Sequence, residues 1–294
     1  MSSPPALPPA RTWQTLVELA LREDLGSGDA TTPLVIEEDR AGAARIEARQ
    51  GLVVCGLAVV EAVFREVDPR IAFHSHAREG ARVEAGRCLA VVAGPLRAIL
   101  AGERTALNFL ARLCGVATWT RRFVDAVDGA GVGIVDTRKT VPGWRALDKY
   151  ATSVGGALNH RAGLFDGILL KDNHVALAGG VAAAFKAARA AAPAGLRIQL
   201  EVESEVEARA AVEAGADFLL IDNCAPAEIR RIVEQLAGRA LLEVSGGITL
   251  ENVRAIAETG VQRVSIGALT HSAPAADVAL EIEREGPATG AAGQ

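Results

Sequence analysis

The rhythm of apolar and polar positions changes near residue 112. Upstream, residues 15–22 and 56–66 repeat their apolar positions with a helical period, whereas residues 43–49, 70–74 and 87–93 read as strands. This mixed order predicts an N-terminal α+β lobe over residues 13–112. A long helical stretch, residues 96–127, carries the chain onward, and Gly115 predicts its division into two helices. Beyond it, β-rich runs at 133–136, 167–170, 197–202, 217–221, 240–244 and 262–266 alternate with helical patterns at 181–192, 205–214, 227–236 and 250–258. Repeated βα units of this length predict a parallel sheet. Six clear strands fall short of the eight of a complete barrel, with a weak further strand near residues 157–161 left open. The expected fold class is α/β: the α+β lobe followed by an open, incomplete parallel α/β barrel over residues 113–269. Pro- and Ala-rich residues 1–12 and the Gly- and Ala-rich residues 286–294 read as disordered tails.

Chemistry in such a barrel gathers at the C-terminal ends of the strands, which face a common mouth. Read in that order, the strand ends carry Asp136, Thr137, Arg138 and Lys139, then Lys171, Asp172, Asn173 and His174, then Glu201 and Glu203, then Asp222 and Asn223. Spacing by two places Glu201 and Glu203 on one strand face with Gln199, and carboxylates there need cations such as Arg138, Lys139 and Lys171, or a metal. A structural ion-pair network would produce some of the same clustering. Ser245, Gly246 and Gly247 precede a helix expected to start near Thr249, and Ile266, Gly267 and Ala268 follow the neighbouring strand; two small-residue turns side by side predict a phosphate site. A glycine turn alone serves chain geometry more often than phosphate. Arg104 sits on a helix whose apolar stripe is Leu107, Leu110 and Ala111, and by itself reads as a surface residue. His160 and Arg161 fit a helix C-terminal cap equally well. His74 and His76 lack a third ligand and read as an exposed strand face rather than a metal site.

Charge and composition narrow the partners. The formal net charge is −5, which argues against nucleic acid or an anionic membrane as the main partner, so any anion site is a local cluster of cations. The four cysteines are far apart, without zinc spacing, and read as reduced, buried thiols. Residues 1–9 lack the basic start and apolar run of a signal peptide, and no uncharged apolar run approaches the ~18 residues of a membrane span. A soluble, cytoplasmic protein is expected.

The motifs LREDLGSGDATT, GERTALNFL, DTRKTVPGWRALDKYA, GGALNHRAGLFDGILLKDNHV, EVE, GADFLLIDN, EVSGGIT and SIGALTHSAPAADVAL occur in this order. Together they resemble the quinolinate phosphoribosyltransferase family over nearly all of the chain outside its tails. The DTRKT, NHR and KDNHV segments are specific; SGGIT alone is not. The resemblance implies transfer of phosphoribosyl from phosphoribosyl pyrophosphate to quinolinate with decarboxylation, giving nicotinate mononucleotide, pyrophosphate and CO2 for NAD biosynthesis. It implies a homodimer whose site is shared between subunits, with Arg104 reaching the partner's barrel and residues 270–285 rejoining the N-terminal lobe. By the same resemblance Arg138, Arg161 and Arg104 mainly bind quinolinate, Lys139 and Lys171 serve carboxylate or pyrophosphate, and Thr137 and His160 are further substrate-binding residues of the pocket. Glu201 and Asp222 would hold the ribose hydroxyls and assist the Mg2+ that travels with the donor, while residues 245–247 and 266–268 would hold the 5-phosphate. Lys139, Lys171, Glu201 and Asp222 are the implied catalytic groups, and no organic cofactor is needed. Three other readings stay open: a nicotinate or other pyridine phosphoribosyltransferase, a sugar-phosphate lyase acting through Lys171, and a non-catalytic anion-binding protein.

Overall fold

The computed structural model describes residues 5–283. It divides into two compact units, one running up to Thr118 and resuming at Pro274, the other Trp119–Ala273. The chain breaks therefore fall at 118/119 and 273/274, later than the expected 112/113 and 269/270.

In the first unit the elements are α1 (Gln14–Leu25), α2 (Thr32–Val35), β1 (Ala41–Ala48), β2 (Leu52–Val53), α3 (Leu57–Val67), β3 (Ala72–Ser75), β4 (Arg82–Val83), β5 (Cys88–Pro95) and α4 (Leu96–Ala126), the last ending in the second unit. A final strand, β12 (Val278–Ile282), closes an antiparallel sheet of order β12-β1-β5-β3. Its core face follows from alternation: Ala44, Ile46 and Ala48 are fully buried, while Arg45 and Glu47 between them pair with each other on the other face. Ile46 stands opposite Leu280 in β12. The stretch expected to be a tail contains a 3-10 turn at Ala10–Thr12, and the buried Trp13 donates its indole N–H to Pro8 O at 2.9 Å, so burial of one large ring orders it. Residues 286–294 lie outside the described residues.

Helix α4 is continuous through Gly115, against the expected break. A Cβ there would stand 2.2 Å from the carbonyl oxygen of Pro274. The glycine thus admits a second backbone against the helix rather than interrupting it, which is the other reason a helix keeps a glycine in its interior. Cys55 and Cys114 are buried beside each other, and burial pushes the Cys114 thiol up to about 12; Cys88 and Cys224 are only half-buried, unlike the expectation for all four. No helix among the described residues is long and apolar enough to cross a membrane.

The second unit alternates strands and helices: β6 (Gly133–Val135), α5 (Arg145–Val154), β7 (Ile168–Leu170), α6 (Asp172–Ala178), α7 (Val181–Ala191), β8 (Ile198–Val202), α8 (Glu205–Glu213), β9 (Phe218–Asp222), α9 (Pro226–Leu236), β10 (Leu241–Ser245), α10 (Val253–Ala257), β11 (Arg263–Ser265) and α11 (Ala268–His271). All six expected strands form, parallel, in the order β6-β11-β10-β9-β8-β7. First and last strands in sequence are therefore neighbours, and the sheet curls without pairing β6 to β7. On the free side of β6 the weak strand reduces to one parallel bridge, Val135 to Leu158. The result is the open, incomplete α/β barrel. Leu200, Val202, Leu219, Ile221, Leu242 and Val244 turn outward to pack with Ala208, Ile229, Ile232 and Val253 of the surrounding helices. The alternate residues of the same strands face the barrel interior, and there the polar groups collect.

Glu203 does not share the interior face with Glu201. The chain leaves β8 at Val202, Ser204 caps α8 by accepting from Glu207 N at 3.3 Å, and Glu207 Oε2 accepts from Glu203 N at 2.8 Å. The Ser-x-x-Glu capping signal outranks strand continuation and leaves Glu203 exposed.

Candidate active site

The interior face opens into a cavity of about 780 Å3 at the C-terminal ends of the strands. Its wall takes every second residue: Leu169 and Lys171 from the end of β7, Glu201 from β8, Leu220 and Asp222 from β9, Glu243 and Ser245 from β10, Ser265 and Gly267 from β11 and beyond. Thr137, Arg138, Lys139, His160, Arg161, Gly246, Gly247, Ala268, His174 and His271 complete the polar rim. Of the residues chosen from sequence, Ile266 is buried behind this wall, and Arg104 belongs to the first unit, where it is exposed on α4. Glu243, Ser265 and His271 were not expected there, and His174, named among the strand-end groups, had no role assigned. The signal for Glu243 is in the sequence: it stands two residues before Ser245, the lone charge in the apolar run LLEVS.

One buried carboxylate organises the cationic side. Asp136, fully buried at the end of β6, pairs with Lys149 of α5 at 2.5 Å, and it accepts from Asn159 Nδ2 at 2.7 Å, Thr152 Oγ1 at 3.2 Å and His160 N at 2.7 Å. This ties the segment after β6, which carries Arg138 and Lys139, to the segment carrying His160 and Arg161. Arg145 braces the same loops, donating to Thr140 Oγ1 at 3.1 Å, Ala162 O at 3.1 Å and Arg138 O at 3.4 Å. The C-cap reading of His160 and Arg161 does not hold: α5 ends at Val154, and both residues lie in the loop beyond the Leu158 bridge.

Arg161 donates to Gly167 O at 3.0 Å and otherwise faces the cavity. Burial, and then the nearby Arg138, hold its guanidinium below the usual arginine range. Arg138 Nε is itself buried without a partner. None of Arg138, Lys139, Arg161 and Lys171 forms an ion pair among the described residues. Two half-buried guanidiniums that repel each other, neither in an ion pair among the described residues and only Arg161 drawing on the nearby charge of Asp166, constitute a preformed demand for a multiply charged anion.

The small-residue turns lie opposite. Gly246 has φ 93°, and a Cβ on it would meet Asn223 Oδ1 at 2.1 Å, so only glycine fits between the ends of β10 and β9. Asn223, itself at φ 53°, donates its backbone N–H to Ser245 O at 3.0 Å, and Ser245 Oγ donates to Asp222. At Gly267 a Cβ would stand 2.9 Å from Lys139 Cδ and 3.0 Å from His271 Nε2, so its absence lets two basic side chains approach the turn. The helix expected near Thr249 begins at Val253 and spans five residues, so the turn's own N–H groups, not a helix dipole, are what the SGG segment offers an anion.

Glu201 and Asp222 converge on the same cavity. Desolvation, followed by the charge of Asp222, raises the Glu201 carboxyl above the ordinary 4.5, and Lys171 opposes the shift. Such a pair favours a cation, but among the described residues no cluster of three or more His, Cys, Asp or Glu is arranged to hold a metal by protein ligands alone. Magnesium commonly takes one or two carboxylates and fills the rest of its octahedron with water and substrate phosphate oxygens, and these two residues suit that arrangement.

An open parallel barrel with unpaired cations, two glycine turns and two convergent carboxylates at its mouth defines an α/β-barrel enzyme site for a multiply charged phosphorylated substrate. Residues 29–114 match the quinolinate phosphoribosyl transferase N-terminal domain and residues 116–281 its C-terminal domain. The chain belongs to the quinolinate phosphoribosyltransferase family. It is 40% identical over 260 residues to the probable nicotinate-nucleotide pyrophosphorylase [carboxylating] of Bacillus subtilis, covering 88% of this chain and 90% of that one. It is 37% identical over 301 residues to a mitochondrial quinolinate phosphoribosyltransferase [decarboxylating] of Nicotiana glauca, covering 96% and 85%. The solved structure of the nicotinate-nucleotide pyrophosphorylase from Francisella tularensis superposes with a TM-score of 0.90 at 35% identity, covering 96% of this chain and all of that one.

Proposed function

We propose that the protein transfers the phosphoribosyl group of phosphoribosyl pyrophosphate to quinolinate and releases pyrophosphate and CO2, leaving nicotinate mononucleotide for NAD biosynthesis, as a soluble cytoplasmic homodimer. The observation that carries this reading is the juxtaposition of Arg138 and Arg161, neither in an ion pair among the described residues, on a cavity that also holds Lys139 and Lys171. A planar dicarboxylate matches two planar guanidiniums, whereas a monocarboxylate would leave one of them unanswered.

In this reading Arg138 and Arg161, with Thr137, hold quinolinate so that its ring nitrogen faces C1 of the ribose. Lys139 and Lys171 neutralise carboxylate and pyrophosphate oxygens. The turns at 245–247 and 267–268 receive the 5-phosphate; Ile266 contributes nothing to it directly, its side chain being buried and its N–H donated to Val135 O at 2.9 Å. As the C1–O bond to pyrophosphate breaks and the N–C1 bond forms, positive charge develops on the sugar, and Glu201 and Asp222 stabilise it. Glu201 and Asp222 would hold, directly or through water, a magnesium ion arriving with the donor, and that ion would supply neutralising charge to the pyrophosphate. The ribosylated ring nitrogen is cationic and stabilises the electron pair left on the adjacent ring carbon when the 2-carboxylate departs as CO2; that carbon then takes a proton. Exposed Arg104, on the same α4 face as exposed Asn108, supports the shared-site reading, in which it serves the partner's barrel.

Two measurements test this reading. In paired assays with the donor and Mg2+, quinolinate is expected to give mononucleotide and CO2 in equal amounts and nicotinate neither; turnover of nicotinate instead would assign the rival transferase. The second concerns Glu201. Its raised folded value means that it contributes stability below the ordinary 4.5, and that this is lost as pH rises through the folded value. Glu201→Gln keeps the uncharged state at every pH, so at pH 7–8 it is expected to melt above the wild type, the gap closing as pH falls toward 4.5. Its kcat is expected to drop about 100-fold or more. A variant melting below the wild type at pH 7–8 contradicts the assigned strain.

A further inference from the structure

We infer that Thr270 is a positioning residue for the phosphoribosyl donor: its hydroxyl ties Lys139 to the turn at Gly267 and Ala268, and so fixes the distance between groups that hold the donor's two charged ends. The inference rests on the reading of Lys139 and of that turn as donor-binding elements.

Strands β6 and β11 run side by side, Val135 opposite Ser265, and their ladder ends where Ile266 N donates to Val135 O at 2.9 Å. Beyond that point the two chains part. One continues through Thr137, Arg138 and Lys139, where Lys139 N donates to Thr137 Oγ1 at 3.0 Å; the other turns at Gly267 into α11. The ladder no longer sets their spacing there, yet Lys139 and Gly267 both line the cavity. Thr270 bridges the gap: its Oγ1 lies 2.7 Å from Lys139 O, across 131 residues of sequence.

The direction of that bond follows from its partners. A carbonyl only accepts, so the hydroxyl donates. Its single proton has a second carbonyl nearby, Gly267 O at 3.2 Å, which is the local bond that a threonine often makes within a helix. Gly267 O already accepts the N–H groups of Thr270 at 3.1 Å and His271 at 3.2 Å. The proton therefore goes to the shorter and less crowded contact, Lys139 O. Thr270 is fully buried, and so is Leu269 beside it, which packs into the apolar core of the unit. The hydroxyl thus stands on a fixed base and is shielded from bulk water.

A second contact acts in the same sense. The stem of Lys139 lies over Gly267, where a Cβ would stand 2.9 Å from Lys139 Cδ. Lys139 is held at two places, by its carbonyl on Thr270 and by its stem on the turn. The donor carries one phosphate on C5 and a pyrophosphate on C1, a span set by covalent geometry, and a site that grips both ends needs a matching fixed span. The segment SIGALTHS supplies it: Gly267 and Ala268 form the turn, and Thr270, three residues past Gly267, anchors the lysine.

The test compares two variants in binding and in turnover. Thr270→Val keeps the branched shape and nearly the volume while removing the O–H. In calorimetric titrations with Mg2+ and no acceptor it is expected to bind phosphoribosyl pyrophosphate about tenfold more weakly than the wild type, the equivalent of one lost hydrogen bond. In steady-state kinetics KM for the donor should rise by a similar factor while KM for quinolinate stays within about twofold. Thr270→Ser keeps the O–H and is expected to bind the donor within about threefold of the wild type. Unchanged donor affinity in Thr270→Val, or serine as poor as valine, overturns the inference. Losses that fall equally on donor and quinolinate mark general damage and overturn it as well. The titration needs no turnover, so its result stands apart from the paired assay: a wild type that binds the donor but leaves quinolinate untouched changes the acceptor and not the role of Thr270, whereas a wild type that binds no donor overturns both.

Discussion

Replacing Arg161 with alanine is expected to lower kcat/KM for quinolinate by roughly 30- to several thousand-fold, the equivalent of losing one partner of a desolvated charge pair at about 2–5 kcal/mol. The loss should fall mainly on KM for quinolinate, because the guanidinium clamps the acceptor before and during ribosyl transfer. Arg161→Lys is expected to recover little of it. A single ammonium on a flexible stem cannot replace a planar fork that Gly167 O holds at 3.0 Å on one side. The effect on stability should be small. The variant loses the bond to Gly167 O, and it also relieves the repulsion from Arg138 that, with burial, holds the Arg161 guanidinium below its usual range. Steady-state kinetics with quinolinate varied at saturating donor, together with thermal melts, check both halves. A change in KM below about threefold, or full recovery by lysine, would remove Arg161 from the clamp.

Asp136→Ala should damage the fold itself. Asp136 is fully buried and Lys149 is only 7% exposed, so removing the carboxylate takes the counter-charge from a desolvated ammonium and leaves the His160 N–H without its acceptor, while Asn159 and Thr152 keep Lys149 O. Breaking a buried pair in this way costs about 3–5 kcal/mol. For a unit of this size that corresponds to a fall in melting temperature of roughly 6–20 °C. The double variant Asp136→Ala with Lys149→Met removes the orphan charge and is expected to regain at least half of the stability, since an apolar replacement of both partners is often tolerated. Its activity toward quinolinate should stay low, because neither end of His160 is then held. Denaturant unfolding followed by tryptophan fluorescence reports on this unit through Trp119 and Trp144. A single-variant loss below about 1 kcal/mol would mean that water reaches the pair.

The six strands of the barrel and four of the six helices between them, all but α5 and α6, were legible because each is a local periodic pattern, and a period survives whatever the element packs against. The cationic and carboxylate positions at the strand ends were legible for a related reason: in a parallel barrel all those ends face one mouth, so a strand boundary is also a site position. Glu203 shows the limit of that rule. One residue past the strand, the capping preference of Ser204 and Glu207 takes over and turns the side chain away.

Sequence by itself thus determined the fold class, the family and the chemical character of the mouth, since each rests on residue type and spacing within single segments. Only the tertiary structure decided why Gly115 sits inside an unbroken helix, for the reason is the carbonyl of Pro274, which no local pattern announces. The same holds for Asp136, Lys149, Gln199 and Glu243 around His160. Those partners come from separate strands and a helix, and a hydrogen-bond network assembled across elements is set by packing distance rather than by sequence period. His160 therefore looks like one more cation when read along the chain. In three dimensions each of its polar atoms has a partner within the protein.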